Sequence, residues 1–232
     1  MSNRSDPIAA QFDEGFTLLE ILVAILIFGV VMSSLFISFR SLMFEPDGIQ
    51  QTLSREEMAR TALDRMAADL QAVHVPLPPA YRPPEINDPP DPHRLVGTVD
   101  FALNRAFGRL RFSSLAHLPM RNTGRRGIAQ IVYYVQAAED DTFVLRRADD
   151  LAPYPDPEAL NQDPVLCENV YSLSFRFMDE TGESRESWNS DAEEFDHASP
   201  VAVAIRLELG EAENPDVFET EVLLPVRRAK SG

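Results

Sequence analysis

The sequence predicts an α+β fold: one long N-terminal helix followed by a mainly antiparallel β-sheet domain. Three observations predict it. An apolar stretch runs almost unbroken from Phe16 to Phe39, an amphipathic pattern of helical period follows it, and from Leu95 onward the pattern changes to alternation of period two. At 232 residues the chain has room for one domain of ordinary size besides the helix.

Residues 1–15 are largely polar, and the apolar stretch begins at Phe16. From Ile21 to Met32 there is no polar side chain. A helix needs about 20 apolar residues to span a bilayer, so 16–44 reads as a transmembrane helix. A helix buried in a soluble core is rarely apolar on every face. A cleaved secretory signal would have a basic start, a shorter core and small residues at the cut; here Arg4 is the sole basic residue before the core and no A-x-A follows it. Glu20 breaks the apolar run. A carboxylate costs about 2.5–3.5 kcal/mol at the centre of a membrane helix, less towards the interface. Such a residue calls for a partner or a role; the plainer alternative is that it snorkels to the interface. Ser33, Ser34, Ser38, Arg40 and Ser41 mark the exit from the membrane, and Glu45-Pro46-Asp47-Gly48 reads as a break or kink.

Residues 45–74 read as an amphipathic continuation of the helix. Leu63, Met66, Leu70 and Val73 are spaced by 3, 4 and 3 residues and share one face, which is expected to pack on the following domain. Residues 75–94 hold eight of the 18 prolines and read as a proline-rich linker or loop, a solvated connection in preference to a docking surface. Residues 95–232 form the β-rich domain. Its expected strands are 95–103, 110–115, 128–137, 142–147, 165–178, 201–209 and 217–226. Glu139-Asp140-Asp141 and Asp179-Glu180-Thr181-Gly182 read as hairpin turns, the latter with glycine where a positive φ is needed. Val201–Ile205 is apolar on both faces and should be central in its sheet, while 124–127 and 151–163 read as exposed loops.

The formal charge is −16. An acidic surface argues against nucleic-acid binding and against docking on anionic lipid, both of which need Lys and Arg. Cys167 is the single cysteine, so it has no disulfide partner within the chain, and it reads as a small buried hydrophobe.

Gly15-Phe16-Thr17-Leu18-Leu19-Glu20, followed by Ile21–Ile25, resembles the prepilin start site of type IV pilins and type II secretion pseudopilins. The resemblance implies a pilin-like fold and a leader, residues 1–15, removed by a prepilin peptidase after Gly15. Phe16 would become the N-methylated first residue. Glu20 would then serve subunit assembly in the membrane, neutralising the new α-amino group of a neighbouring subunit and fixing axial register. Asp13 and Glu14 stand where the family commonly places Lys or Arg.

The second half is similar to the minor pseudopilin J of type II secretion systems. The similarity runs through 166–177, the Asp179–Gly182 turn, Trp188, and Ser199-Pro200 leading into the valine- and alanine-rich 201–209. It implies a structural role at the tip of a periplasmic pseudopilus, helping to start its assembly. The implied partners are the minor pseudopilins of types H, I and K, the major pseudopilin, the prepilin peptidase and the bacterial inner membrane, with the C-terminal domain in the periplasm. The alternative within this class is a minor pilin that initiates a type IV pilus.

The rival class is a membrane-anchored periplasmic enzyme. His74, His93, His117 and His197 have no metal-ligand spacing, no serine lies in a G-x-S-x-G setting and there is no glycine-rich phosphate loop. No catalytic residue, cofactor or metal site is assigned. Asp191, Glu193, Glu194 and Asp196 offer oxygen ligands of the kind Ca2+ takes, but without the glycine of an EF-hand loop; they read as a solvated acidic loop. Trp188 reads as a core or interface anchor.

Overall fold

The computed structural model describes residues 17–44, 46–85, 87–118, 126–138, 142–151 and 163–230. The leader, Gly15, Phe16 and the Glu139–Asp141 turn lie outside these, as do most of the loops expected at 124–127 and 151–163. The elements in chain order are α1 (Leu18–Phe44), α2 (Pro46–Gln71), β1 (Val96–Ala102), β2 (Arg105–Ser114), β3 (Ala129–Ala137), β4 (Phe143–Leu151), β5 (Val165–Cys167), β6 (Val170–Met178), β7 (Ser184–Arg185), β8 (Trp188–Asn189), β9 (Ala202–Leu209) and β10 (Asp216–Leu223). The chain divides into two units, 1–52 and 53–232.

The first unit holds α1. Its Leu18–Ser38 segment is 21 residues long, with a mean hydropathy of 2.7, and is exposed throughout. At 1.5 Å per residue that length is about 32 Å, enough for the hydrocarbon core of a bilayer. Of the break expected at 45–48, residue 45 lies outside the described residues and the rest does not form. Residues 46–48 are already helical, with Pro46 opening α2. Proline suits a first helical position because its missing N–H would have no intrahelical partner there.

In the second unit, the stripe expected on α2 is buried: Leu63 and Val73 are under a tenth exposed, and Ala59, Ala62, Met66 and Leu70 essentially not at all. Two antiparallel sheets complete the core. One has six strands in the order β5-β4-β3-β2-β1-β8, the other four in the order β10-β9-β6-β7. Val73 bridges to Ser114, and Leu115 N donates to Ala72 O (2.9 Å), tying the end of α2 to the end of β2. The sheets meet at two glycines. A Cβ on Gly97 would stand 2.0 Å from the Phe177 ring and one on Gly108 2.8 Å from the Phe175 ring, so no larger residue fits under these aromatics.

Most expected strands are present with shifted ends. β2 starts at Arg105, five residues before its expected start, because Leu103 and Asn104 (φ +45° and +64°) make a two-residue turn that pairs Ala102 with Arg105. β4 continues to Leu151 despite its polar end, since Asp149 is held by Arg147 and Ala148 is buried. The single strand expected over 165–178 is two. Asn169 takes a left-handed φ of +55°, and there the chain leaves the six-stranded sheet for the other. The two-residue strands β7 and β8 are too short for any periodicity to reveal. β9 is central in its sheet, as its apolar run predicts. The 179–182 turn also forms as expected: Gly182 has φ +84°, and the Asp179 carboxylate accepts from Thr181 N (2.8 Å), Thr181 Oγ1 (2.6 Å) and Glu183 N (3.0 Å).

Candidate functional site

α1 carries one acidic residue in its first turn, Glu20, exposed on a helix whose other described residues are apolar apart from Ser33, Ser34 and Ser38. Thr17 caps that helix. Its side-chain oxygen accepts from Glu20 N (3.2 Å), and its carbonyl accepts from the same N–H (3.0 Å) and from Ile21 N (3.3 Å). The T-x-x-E spacing is the signature of a capping box, a signal in the sequence that hydropathy alone passes over. The cap fixes the turn that carries Glu20, and the positive end of the helix dipole favours a carboxylate there.

A second arrangement, unforeseen in the sequence, joins α2 to the six-stranded sheet. Asp69 lies on the buried stripe and is fully buried. Its carboxylate accepts from Tyr133 Oη (2.5 Å) and from Arg147 through Nε (2.7 Å) and Nη2 (3.2 Å), and it pairs with Arg65 one turn back on α2. Arg147 Nη1 reaches on to Asp149 (2.6 Å), which also pairs with His117 Nδ1 (2.5 Å) and accepts from Leu118 N (2.8 Å). Burial and the adjacent Asp69 charge both push the Tyr133 hydroxyl well above the usual phenol range. Burial alone would lower Arg147, but its bonds to Asp69 and Asp149 outweigh that and raise it. Both groups keep their protons, so the cluster is a fixed ion-pair network. The detectable signal was a carboxylate three residues after Met66 and one before Leu70, inside an apolar stripe.

The proline-rich segment is a loop, but it is not the free, solvated connection its composition suggests. Tyr81 is buried and donates to Asp191 Oδ1 (2.8 Å), while Asp191 Oδ2 accepts from Asp91 N (2.8 Å). The Arg228 guanidinium lies 3.3 Å from the Tyr81 ring centroid, donates to the carbonyls of Ser190 and His197, and pairs with Asp91 (3.5 Å). Asp191 is therefore a buried anchor, which corrects the reading of it as part of a solvated acidic loop. Among the described residues no group of three or more His, Cys, Asp and Glu could hold a metal ion. His93 Nδ1 bonds Ser113 Oγ (2.9 Å); burial, and then the neighbouring His74, lower its pKa against the opposing pull of Asp91. Trp188 is a core residue, its Nε1 donating to Ala198 O (3.0 Å) beside the Phe195 ring. Cys167 is buried, and burial pushes its thiol up to about 12.

An apolar N-terminal helix with an acid in its first turn, followed by an α+β domain of antiparallel sheets, defines a membrane-anchored, pilin-like subunit. Residues 13–36 match the prokaryotic N-terminal methylation motif. Residues 39–218 match the family described as type II secretion system (T2SS), protein J, and the chain belongs to that family. It is a minor pseudopilin, a structural protein and not an enzyme. Comparison with curated proteins gave no match.

Proposed function

We propose that the chain sits at or near the tip of a short periplasmic pseudopilus and helps to start its assembly, for export of folded proteins across the outer membrane. The observation that carries this is the protein J match over 39–218, joined to a methylation motif that contains Glu20. In this reading a prepilin peptidase removes residues 1–15 after Gly15, and Phe16 is N-methylated. Residues 16–44 anchor the protein in the inner membrane, 45–74 continue as amphipathic helix, and the proline-rich 75–94 leads into a periplasmic domain over 95–232. Its partners are the H, I and K types and the major pseudopilin.

Glu20 has a physical task in this scheme. Cleavage leaves an amine on Phe16 that is costly in lipid, as is the Glu20 carboxylate four residues on. Setting Glu20 of one subunit against the amine of another neutralises both and defines one axial offset. Glu20→Gln removes the charge and little volume. The expected result is loss of incorporation into the filament by at least about ten-fold, with mass spectrometry of the wild-type protein finding a methylated Phe16 at its N-terminus. Normal incorporation of the variant, or an intact leader on the working protein, refutes the scheme.

A further inference from the structure

We propose that the tip of the β1–β2 hairpin is a lipid-docking element. Val99, Phe101 and Leu103 dip into the headgroup boundary of a zwitterionic bilayer while the subunit stands alone on its anchor. This needs only α1 as a membrane anchor and not the place of the chain in a pseudopilus. Val99 and Phe101 share one face of the hairpin, with Gly108 and Ala106 opposite them, so no charged side chain stands in these rows. Deeper in the sheet the same face is core: Gly97 lies under Phe177, Gly108 under Phe175, and Leu110 is buried. Towards the turn that cover ends, leaving Val99 49% and Phe101 77% exposed. Leu103 opens the turn at φ +45° and is 58% exposed. A left-handed turn position favours glycine or asparagine, so turn geometry does not account for a leucine there.

The tip lies at the end of this unit where the chain arrives from the apolar span. Val73 bridges to Ser114. From there β2 runs back to Arg105 over about 30 Å, and α2 runs back to Arg55 over about 27 Å. Contacts in series join the two far ends. Arg105 donates to Tyr171 O, Gly210 N donates to Asn169 O (2.9 Å), and Arg55 Nη1 stands 2.9 Å from the place of a Cβ on Gly210. Leu53, just before Arg55, is the first residue of the unit. Only residues 39–52 separate it from the end of the span at Ser38, about 21 Å as helix. The tip meets the bilayer surface when the domain leans over its anchor, and a subunit outside a filament has room to do so.

The local charge suits phospholipid headgroups. Between Val96 and Ser114 stand Arg105, Arg109 and Arg111 against the single acid Asp100, which pairs with Arg109 (2.9 Å). The hairpin thus carries a surplus of positive charge in a chain of net charge −16. Cations set just behind an apolar tip lie at the depth of the lipid phosphates once the tip enters the boundary. The 210–216 turn at the same end carries Glu211 and Glu213, which an anionic surface repels, so the surface that fits is zwitterionic.

The test places the full chain in phosphatidylcholine vesicles, with fewer chains than vesicles. Leu103→Cys carries a polarity-sensitive fluorophore; Cys167 is buried with its thiol pushed up to about 12, so it does not take the label. Asp88→Cys is the control, on the exposed loop whose two ends meet at Ser113, the opposite end of β2. Quenching by a nitroxide near the top of the lipid acyl chain is expected to be about three-fold stronger at position 103 than at position 88. Val99→Ser with Phe101→Ser should bring it down to the control level with near-ultraviolet circular dichroism unchanged, Phe101→Leu should preserve it, and added phosphatidylglycerol should weaken it. Equal quenching at the two positions, quenching indifferent to the serine changes, or quenching strengthened by phosphatidylglycerol overturns the proposal. No quenching in vesicles, with shielding of the label once other pseudopilins are added, assigns the tip to a protein neighbour and overturns it too. The vesicles hold no other subunit, so the lipid result is independent of filament assembly and of Glu20.

Discussion

Replacing Asp69 by Asn tests the joint between α2 and the six-stranded sheet. The Asp69 carboxylate is fully buried, and the Arg147 side chain is 3% exposed. Solvent screening therefore offers little relief once the charge is removed. Breaking a buried ion pair from one side costs about 3–5 kcal/mol, mostly because the remaining charge is left uncompensated. Two features pull the figure down. Arg147 keeps Asp149, and an asparagine carbonyl can still accept from Tyr133. Arg65 is 22% exposed and contributes less. The expected loss is about 3 kcal/mol, which for a domain of this size lowers the unfolding temperature by roughly 6–12 °C. The assay is urea and thermal unfolding of the full chain in detergent, followed by near-ultraviolet circular dichroism. The double variant D69L/R147M removes both charges and should lose at least about 1 kcal/mol less than the sum of the single changes. A loss under about 1 kcal/mol for D69N, or strict additivity in the cycle, refutes the account of the cluster as a buried, coupled network.

Three further outcomes follow from the geometry. Thr17→Ala removes the side-chain cap on α1 at a cost of about 1 kcal/mol, so incorporation into the filament should fall roughly five-fold and Thr17→Ser should restore it. Gly97→Val places atoms inside the Phe177 ring position and should destabilise by about 1–3 kcal/mol or more, read as a lowered urea midpoint, with Phe177→Ala in the same chain relieving part of the loss. His93 has a folded-state pKa below its ordinary value of 6.5. The unfolded chain therefore binds a proton first as pH falls, and stability present above about pH 6.5 is lost as pH drops towards the folded value. His93→Gln should flatten the dependence of the unfolding midpoint between about pH 7 and pH 5, and an unchanged slope would sink the assignment.

The parts that follow from periodicity were legible in the sequence. The all-round apolar run of α1 and the 63–66–70–73 stripe of α2 each state their environment through spacing alone. The 179–182 turn was equally legible, because a left-handed position selects glycine. The turn at Leu103-Asn104 was not, since a leucine at positive φ runs against local preference and is set by the strands it joins. The sheet change at Asn169 was hidden for a related reason. The apolar pattern continues through it, and only tertiary pairing separates β5 from β6. Asp69, Tyr81 and Arg228 were missed because polar residues are by default placed outside. Each is buried only because a partner lies far away in sequence: Arg147 for Asp69, Asp191 for Tyr81, and the carbonyls of Ser190 and His197 for Arg228.

These distant pairings explain why the fold retains buried charges that an apolar core could replace. The stripe of α2 is alanine, leucine and methionine, whose burial is favourable but non-directional. Such a surface would accept the helix slid by one turn along the sheet with modest loss. A slide of one turn, about 5.4 Å, would pull Asp69 away from Arg147 and Tyr133 and leave two opposite charges buried apart. The same few bonds that add little net stability when made therefore exclude the neighbouring register when broken. The reasoning separates stability from specificity. D69L/R147M should unfold at a temperature close to wild type, while disulfide trapping between cysteines introduced on α2 and β3 should capture more than one helix register. A single trapped register in that variant would show that packing alone sets the position of α2.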